Sequence, residues 1–249
     1  MTSQPKGGFI NESLMANAAA KIVAVLLLVT ASTGALAQDV RYSWFEVSFV
    51  QQEIGQQGSM PSPVPGQTVD IDATDGHGIK FRASFGTWRN LFAFVDFNSS
   101  DINVDALVTN PGGEEFEGTD EFDYTAIRGG VGVKWSLSER ADLYGAVSYD
   151  SADFDFGSFA GEDFDTGDKD VGAEVGYRSM IGDKLEIRLR ARYSNVGAVD
   201  LSTGVLDSDT LFGVGFGYEL VRGLSVIGDY EAGEFSSWNV GFRLDLSED

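Results

Sequence analysis

The chain of 249 residues has no cysteine and only one histidine. The absence of cysteine excludes disulfides, thiolate zinc sites, iron–sulfur clusters and a cysteine nucleophile. Basic residues are scarce as well: 17 Lys and Arg stand against 39 Asp and Glu, for a formal net charge of −22. Because nucleic-acid binding needs clustered basic side chains, this acidity argues against a nucleic-acid partner. The hydrophobic content of 43% excludes a disordered polar tail.

The N-terminal hydrophobic run is too short to be a membrane-spanning helix. Residues 22–31 (IVAVLLLVTA) make a run of ten, whereas a spanning helix needs about 20. Lys21 precedes the run, and the small-residue sequence Ala35-Leu36-Ala37 follows it. This order predicts a cleaved secretory signal peptide over residues 1–37, with Met15 as an alternative start. The expected mature domain, residues 38–249, is exported and either stays soluble or crosses a membrane as strands.

The mature chain contains a repeated alternation of nonpolar and polar residues, which predicts β-strands. In one segment, Leu143, Gly145, Val147 and Tyr149 share one parity. The pattern recurs ten times, near residues 41–52, 76–87, 91–98, 122–135, 141–150, 169–179, 185–195, 209–220, 224–231 and 237–246. Most segments are near the length of about 9–11 residues that a tilted membrane strand needs. We therefore predict an all-β transmembrane antiparallel up-and-down barrel of ten strands, or of eight if the weaker segments are misread.

The connections between these segments alternate in length. Short turns are expected around residues 88–90, 136–140, 181–184 and 221–223, and longer loops over 53–75, 98–121, 150–168, 196–208 and a brief 231–236. The loops contain 22 Asp and Glu and no Lys or Arg, while each short turn carries one basic residue. Short turns at one end and long loops at the other are typical of outer-membrane barrels. One end of the molecule is thus predicted to be acidic and the other mildly basic.

Alternation alone also fits a soluble, lipocalin-like barrel with its nonpolar parity inside. The aromatic residues favour the inside-out arrangement, because the nonpolar parity tends to end in an aromatic side chain at the C-terminal end of each segment. Successive segments thus place these aromatics alternately at the loop end and at the turn end of the barrel. Two such rings suit strands that cross two lipid–water interfaces. The predicted girdles are Phe49, Phe97, Tyr149, Tyr193 and Tyr230 at the loop end and Phe85, Trp135, Tyr177 and Tyr218 at the turn end.

The polar parity predicts a crowded and charged lumen. The segment that carries Arg188 and Arg190 is flanked by segments with glycine on the same parity, such as Gly176 and Gly213. Because an unpaired charge in a narrow interior costs several kcal/mol, these nearly balanced charges are expected to pair. The predicted lumen network comprises Glu46, Lys80, Arg82, Asp96, Arg128, Lys134, Glu174, Arg178, Glu186, Arg188, Arg190, Arg192, Glu219, Asp229 and Arg243.

Two acidic stretches resemble the spacing of calcium-binding loops without matching the EF-hand pattern. They supply weak metal-ligand candidates, namely Asp70, Asp72, Asp75, Asp163, Asp165 and Asp168. Divalent cations held there would bridge to anionic lipopolysaccharide; the alternative is a solvated loop that binds no metal. Four phenylalanines interleaved with acid indicate strands that extend beyond the membrane or a contact surface: Phe154, Phe156, Phe159 and Phe164.

These segments resemble the small outer-membrane β-barrels of Gram-negative bacteria, the OmpA/OmpX-like class, in a ten-stranded form. The resemblance is carried by residues 42–50 (YSWFEVSFV), 127–135 (IRGGVGVKW), 171–179 (VGAEVGYRS), 211–220 (LFGVGFGYEL) and 238–246 (WNVGFRLDL). It implies a bacterial outer-membrane location, contact with outer-membrane lipid and lipopolysaccharide, and assembly by the outer-membrane insertion machinery. The implied roles range from structural barrel to adhesin or small pore. The chain departs from the class in ending on Ser247-Glu248-Asp249 rather than on an aromatic residue.

Three classes of function follow from this interpretation. The favoured one is a closed barrel with a charge-plugged lumen and a structural or surface-interaction role. The alternative is a narrow, porin-like channel for ions or small solutes, with selectivity set by Arg188, Arg190 and Arg192. An omptin-like protease or lipid-modifying enzyme is less favoured, because His77 beside Asp75 is the only histidine available. We expect no catalytic residue and no cofactor.

Overall fold

The computed structural model describes residues 41–61, 64–86, 90–159, 162–200 and 205–246. All of them belong to the second of two units into which the chain divides, Ala37–Asp249. The predicted signal peptide, residues 1–37, lies outside the described residues and stays a prediction. Within the described ranges, no helix is long and nonpolar enough to cross a membrane.

Ten strands form one closed antiparallel barrel in which strands adjacent in sequence pair with each other. Pairing of the first and last strands closes the barrel, with a register that runs from Trp44–Asp245 to Glu53–Ser236. The strands are β1 Trp44–Pro61, β2 Thr68–Gly86, β3 Leu91–Thr109, β4 Glu115–Ser138, β5 Ala141–Phe159, β6 Glu162–Ile181, β7 Leu185–Asp200, β8 Val205–Val221, β9 Leu224–Ala232 and β10 Ser236–Asp245. This confirms the all-β barrel and its ten strands.

The connections at one end of the barrel are tight, as predicted. Gly182 and Gly223 lie in the β6–β7 and β8–β9 turns with φ of +64° and +80°, a left-handed backbone that glycine adopts without a steric penalty. Residues 87–89 of the β2–β3 turn lie outside the described part of the chain.

The strands are much longer at the other end, where loops were predicted. β3 and β4 contain 19 and 24 residues and pair as far as Thr109 and Glu115, so the loop predicted over 98–121 is wrong. The loops predicted over 53–75, 150–168 and 196–208 are likewise mostly strand. The physical reason is that nonpolar and polar residues continue to alternate through these acidic stretches, but here the nonpolar residues face the interior and the acidic residues face outward. A pattern that requires nonpolar residues on the outward face therefore does not detect these parts of the strands.

In the central part of the barrel the outward side chains are nonpolar and exposed. Val131, Val147 and Val175 are 60–61% exposed, while the inward parity between them carries buried charged side chains. A continuous nonpolar outer surface around a closed barrel is not stable in water. It is the surface of a barrel that spans a lipid bilayer.

Aromatic residues border this nonpolar band at both edges. Seven of the predicted girdle residues are 44–58% exposed, namely Phe49, Tyr149, Tyr193 and Tyr230 at the loop end and Phe85, Trp135 and Tyr218 at the turn end. Phe97 is half-buried, with its ring centroid 6.3 Å from that of Phe81. Tyr177 is only 3% exposed, so the expectation of an exposed girdle residue is wrong there. Tyr177 lies in register between two bulky outward side chains, Leu143 and Leu189.

Beyond the loop-end girdle the two faces of the wall exchange their chemistry. In β3, Ile102 and Val104 are buried, whereas Asp101 and Asp105 are exposed. The wall is thus nonpolar inside and acidic outside, as in a water-soluble barrel. We call this part of the wall the extension; it comprises residues 53–61, 68–77, 99–109, 115–125, 151–159, 162–169, 195–200 and 205–209.

Candidate functional site

The interior of the barrel holds three layers of side chains along its axis. Near the turn end, Tyr42 and Phe92 are buried with their ring centroids 5.0 Å apart. A charged layer occupies the centre, and a nonpolar layer fills the extension. Together the three layers decide whether the barrel has an open path.

Glu46 is one centre of the charged layer. Its side chain is 1% exposed. Oε1 accepts hydrogen bonds from Arg188 Nη1 at 2.8 Å and from Arg243 Nε at 2.7 Å, and Oε2 lies 3.5 Å from Arg82 Nη1. One carboxylate therefore pairs with arginines from the neighbouring strands β2 and β10 and from β7, which lies across the lumen from β1.

Two carboxylates on β9 form a second centre. The side chain of Asp229 is fully buried and accepts hydrogen bonds from Arg188 Nη2 at 2.9 Å and from Arg190 Nη1 at 3.1 Å. Glu231 accepts from Arg190 Nε at 3.2 Å and from Lys80 Nζ at 3.4 Å. Because Arg188 contacts carboxylates on both β1 and β9, the two centres belong to one network.

Glu174 is the acidic centre on the β4–β6 side of the lumen. Its Oε2 accepts a hydrogen bond from Arg128 Nη2 at 2.7 Å, and its Oε1 accepts one from the Tyr144 hydroxyl at 2.7 Å. The Arg128 guanidinium also lies 4.7 Å from the ring centroid of Phe94, at a distance typical of a cation–π contact.

Glu186 connects the charged layer to the aromatic layer at the turn end. It accepts hydrogen bonds from Arg178 Nη2 at 2.7 Å and from Arg243 Nη1 at 3.0 Å. The Arg178 guanidinium lies 4.6 Å from the ring centroid of Tyr42. The charged side chains are thus held by carboxylates on one side and aromatic faces on the other.

Thirteen of the fifteen predicted network residues form at least one ion pair in the structure. The remaining pairs are Lys80 with Asp96 at 3.8 Å, Arg82 with Asp96 at 3.2 Å, Lys134 with Asp142 at 3.7 Å and Arg188 with Glu186 at 3.6 Å. Glu219 does not join the network: its Oε1 accepts the backbone N–H of Gly223 at 3.0 Å, because at the turn the backbone is the nearer partner. Arg192 belongs to none of these ion pairs, and its Nε is buried without a hydrogen-bond partner in the described chain.

Sequence reasoning missed three carboxylates of the lumen. Asp150 and Glu231 were assigned to loops, and Asp142 was not assigned. All three are buried; Asp150 Oδ2 accepts a hydrogen bond from Ser194 Oγ at 2.8 Å. The parity of the strands is the signal that finds them, since Glu231 lies two residues from Asp229 and faces the same way.

Glycines leave room for the arginines, as the sequence predicts. Gly213 pairs in register with Arg190, and a Cβ atom there would lie 2.8 Å from Cγ and Nε of that arginine. A Cβ atom at Gly176 would overlap the ring of Tyr144. Any larger residue at either position would displace a side chain of the network.

Little space remains among these side chains. One internal cavity of about 40 Å³ lies between the aromatic and charged layers, beside Tyr144 and Arg190. A second, of about 30 Å³, lies beside Lys184 and Glu186 at the turn end. Cavities of this size hold only a few water molecules.

A layer of buried nonpolar side chains lies inside the extension, on the loop side of the charged layer. Phe154 is 1% exposed and lies at its centre. Its ring centroid is 4.7 Å from that of Tyr124, 5.9 Å from that of Phe122 and 6.2 Å from that of Phe235. The other buried members of the layer are Ile54, Ala73, Ile102, Val104, Ala152 and Val196. Of the two interpretations of Phe154, an extended strand is therefore the one the structure shows.

A model of the outer membrane protein beta-barrel domain family matches residues 22–242. The chain belongs to this family. As an outer-membrane β-barrel protein, it resides in the bacterial outer membrane, with the nonpolar band of its wall in lipid. No curated protein sequence matches the chain.

Solved structures that resemble this outer-membrane barrel have low sequence identity to it. The beta domain of the Bordetella autotransporter BrkA is 11% identical with a TM-score of 0.45, and the match covers 83% of this chain and 100% of that chain. OprG from Pseudomonas aeruginosa is 9% identical with a TM-score of 0.44, over 86% and 100%. The attachment invasion locus protein Ail of Yersinia pestis is 12% identical with a TM-score of 0.37, over 82% and 99%.

The outer wall of the extension brings carboxylates together outside the membrane. Asp101, Asp123 and Asp155 lie opposite one another on β3, β4 and β5 and are exposed. The pKa of Asp123 is raised by partial desolvation and then by the carboxylate of Asp101, which also forms a hydrogen bond with Asp123. The charge of Asp155 adds to the effect. Like charges placed directly opposite each other on a sheet destabilise it.

The three opposed aspartates predict a raised pKa of Asp123 that can be measured. The carboxyl of Asp123 should titrate at higher pH than an ordinary aspartate, and Asp101→Asn should lower its pKa. Because the raised pKa belongs to the folded state, the folded barrel should gain stability as pH falls through that pKa toward the unfolded value of about 3.9. A ¹³C NMR titration of the aspartate carboxyls in micelles measures the shift. Glu115→Gln, far along β4, is the control; equal pKa values in all three proteins would contradict the prediction.

The metal-ligand candidates do not converge in the described part of the extension. No group of three or more Asp, Glu or His side chains that could hold a metal ion occurs among the described residues. Asp70 accepts a hydrogen bond from Ser59, and Asp75 accepts from Gln51 and Asn103, each at 3.2 Å. Asp72 and Asp168 also lie in strands. The structure does not describe the side chains of Asp163 and Asp165, nor those of Phe156, Phe159 and Phe164.

His77 lies on the outer wall of this outer-membrane barrel. It is exposed and pairs in register with Gln51 of β1 and Asp101 of β3. The carboxylate of Asp75, its neighbour in sequence, accepts hydrogen bonds from Gln51 and Asn103.

Proposed function

We propose that the protein is a closed, non-conducting outer-membrane barrel with a structural or surface-interaction role, which it performs through the acidic outer wall of the extension. The observation that carries the proposal is the filling of the interior at two successive levels, the charged layer and the nonpolar layer. The proposal includes export through a signal peptide cleaved after Ala37, and no enzymatic activity.

The two layers oppose ion passage for different physical reasons. An ion that enters the charged layer must separate buried pairs such as Arg190–Asp229, and leaving one partner unpaired costs about 3–5 kcal/mol. An ion that enters the nonpolar layer around Phe154 loses hydration among side chains such as Ile102 and Phe122, which cannot replace it. Since the barriers are in series, weakening one of them leaves the other in place.

The extension is a surface of fixed shape. Its carboxylates stand on paired strands, so the spacing of Asp101, Asp123 and Asp155 is set by the sheet. A rigid acidic surface suits cationic partners or divalent cations that bridge to lipopolysaccharide. Lipopolysaccharide and the outer-membrane insertion machinery are the partners we propose for the membrane-embedded part.

Planar-bilayer recording tests the closed state. We expect purified wild-type protein to give no steady conductance, and Arg190→Gln to remain silent because the nonpolar layer still blocks the path. A porin reconstituted in the same bilayer shows that openings would be detected. Steady openings in the wild type, with an ion preference that reverses in Arg190→Glu, would overturn the closed-barrel proposal and establish a narrow channel.

A further inference from the structure

The outward faces of β4 to β7 form a nonpolar groove just below the loop-end girdle. Its volume is about 480 Å³, and its lining includes Gly129, Val131, Val147 and Ala173, with Tyr149 and Tyr193. The groove is open at Gly129, where a Cβ atom would meet no other atom within 4 Å.

Lys169 stands directly above this groove. It is exposed and lies on β6, on the same face as Val171 and two residues nearer the loop end. Lys169 is about 13 Å along the strand from Ala173, at about 3.3 Å per residue. It therefore lies on the aqueous side of the girdle, at the height of the lipid headgroups.

The position of Lys169 is unique in the described part of the chain. Every other described Lys or Arg either faces the lumen or lies at the turn end. None of the ion pairs of the structure joins Lys169 to a described carboxylate. A single cation above a nonpolar groove, bordered by tyrosines, matches the chemistry of a phosphorylated lipid of the outer leaflet.

We propose that this groove binds one phosphorylated outer-leaflet lipid, with an acyl chain against Gly129 and Ala173 and a headgroup phosphate paired with Lys169. The acyl chain packs against the nonpolar lining of the groove, and the phosphate pairs with the exposed Lys169 ammonium group, which forms no ion pair with a described carboxylate. The proposal rests on the membrane location alone and is independent of whether the lumen conducts.

Native mass spectrometry of the full barrel in detergent micelles tests the site, with bisphosphorylated lipid A and its dephosphorylated form as probes. We expect one lipid A to bind more tightly than the dephosphorylated form. Lys169→Gln should reduce lipid A affinity about tenfold, as loss of one charge-assisted contact does, and leave the dephosphorylated form unchanged. Gly129→Leu should weaken both lipids, because the new side chain fills the groove.

Two variants act as matched controls. Lys184→Gln removes an exposed lysine at the turn end, and Val214→Leu enlarges an outward side chain on β8; neither should alter binding. A heat-dependent shift in gel mobility confirms that each variant forms a barrel. Equal affinities of the wild type, Lys169→Gln and Gly129→Leu would show an ordinary lipid annulus and overturn the proposal, as would a wild type that binds both probes equally.

Discussion

Glu46→Ala is expected to lower the free energy of unfolding by about 3–5 kcal/mol, the cost of removing one partner from a buried ion pair. The carboxylate is 1% exposed and accepts hydrogen bonds from Arg188 and Arg243 at 2.8 and 2.7 Å. Without it, both guanidinium groups stay in the lumen, where the small cavities offer little water to solvate them. Urea titration in lipid vesicles, followed by tryptophan fluorescence, measures the change.

Two further variants separate the lost charge from a general effect of substitution. Glu46→Gln keeps an acceptor oxygen of the same size and should destabilise the barrel less than alanine does. Glu121→Ala removes an exposed carboxylate from the outer wall of the extension and should change stability by about 0.5 kcal/mol or less. If Glu46→Ala were no more harmful than Glu121→Ala, the charged layer would contribute nothing to the fold.

Phe154→Ala is expected to lower the free energy of unfolding by about 3–5 kcal/mol, the usual cost of truncating a buried phenylalanine. The side chain is 1% exposed and contacts three other aromatic rings. Its removal leaves a cavity bordered by Phe122 and Tyr124 of β4 and by Phe235 of the β9–β10 connection, and these rings cannot all collapse into it. The same denaturation experiment measures the loss.

Phe116 supplies the matched control for this prediction. It also lies in the extension but is 56% exposed, so Phe116→Ala should change stability by less than about 1 kcal/mol. Phe154→Leu fills part of the cavity and should fall between the two. Equal stabilities for Phe154→Ala and Phe116→Ala would mean that the nonpolar layer is not packed as described.

The membrane-spanning part of the fold could be predicted from sequence because lipid imposes one rule on every strand. Outward residues such as Val147 must be nonpolar, inward residues such as Arg188 must be paired, and a period of two separates them. The same rule placed Glu46, Glu174 and Asp229 in the lumen, since each lies on the parity opposite to its nonpolar neighbours.

Partner choice within the lumen could not be predicted. Arg188 pairs with Glu46, which is 142 positions away in the chain, and the shear of the closed barrel sets which levels of distant strands meet. Glu219 illustrates the limit: its parity is that of the network, but a backbone N–H at the turn lies closer than any arginine. The strands of the extension could not be predicted from the same pattern, because a wall surrounded by water has its nonpolar residues inside. Ile102 and Phe122 therefore face the interior, and the acidic residues face outward.

The reversal at the girdle also prevents the inserted barrel from turning over in the bilayer. To slide back through the membrane, the extension would have to carry exposed carboxylates such as Asp101, Asp123 and Asp155 into hydrocarbon, which is unfavourable for each of them. The extension therefore holds the inserted barrel in one orientation, with the tight turns on the opposite side of the membrane.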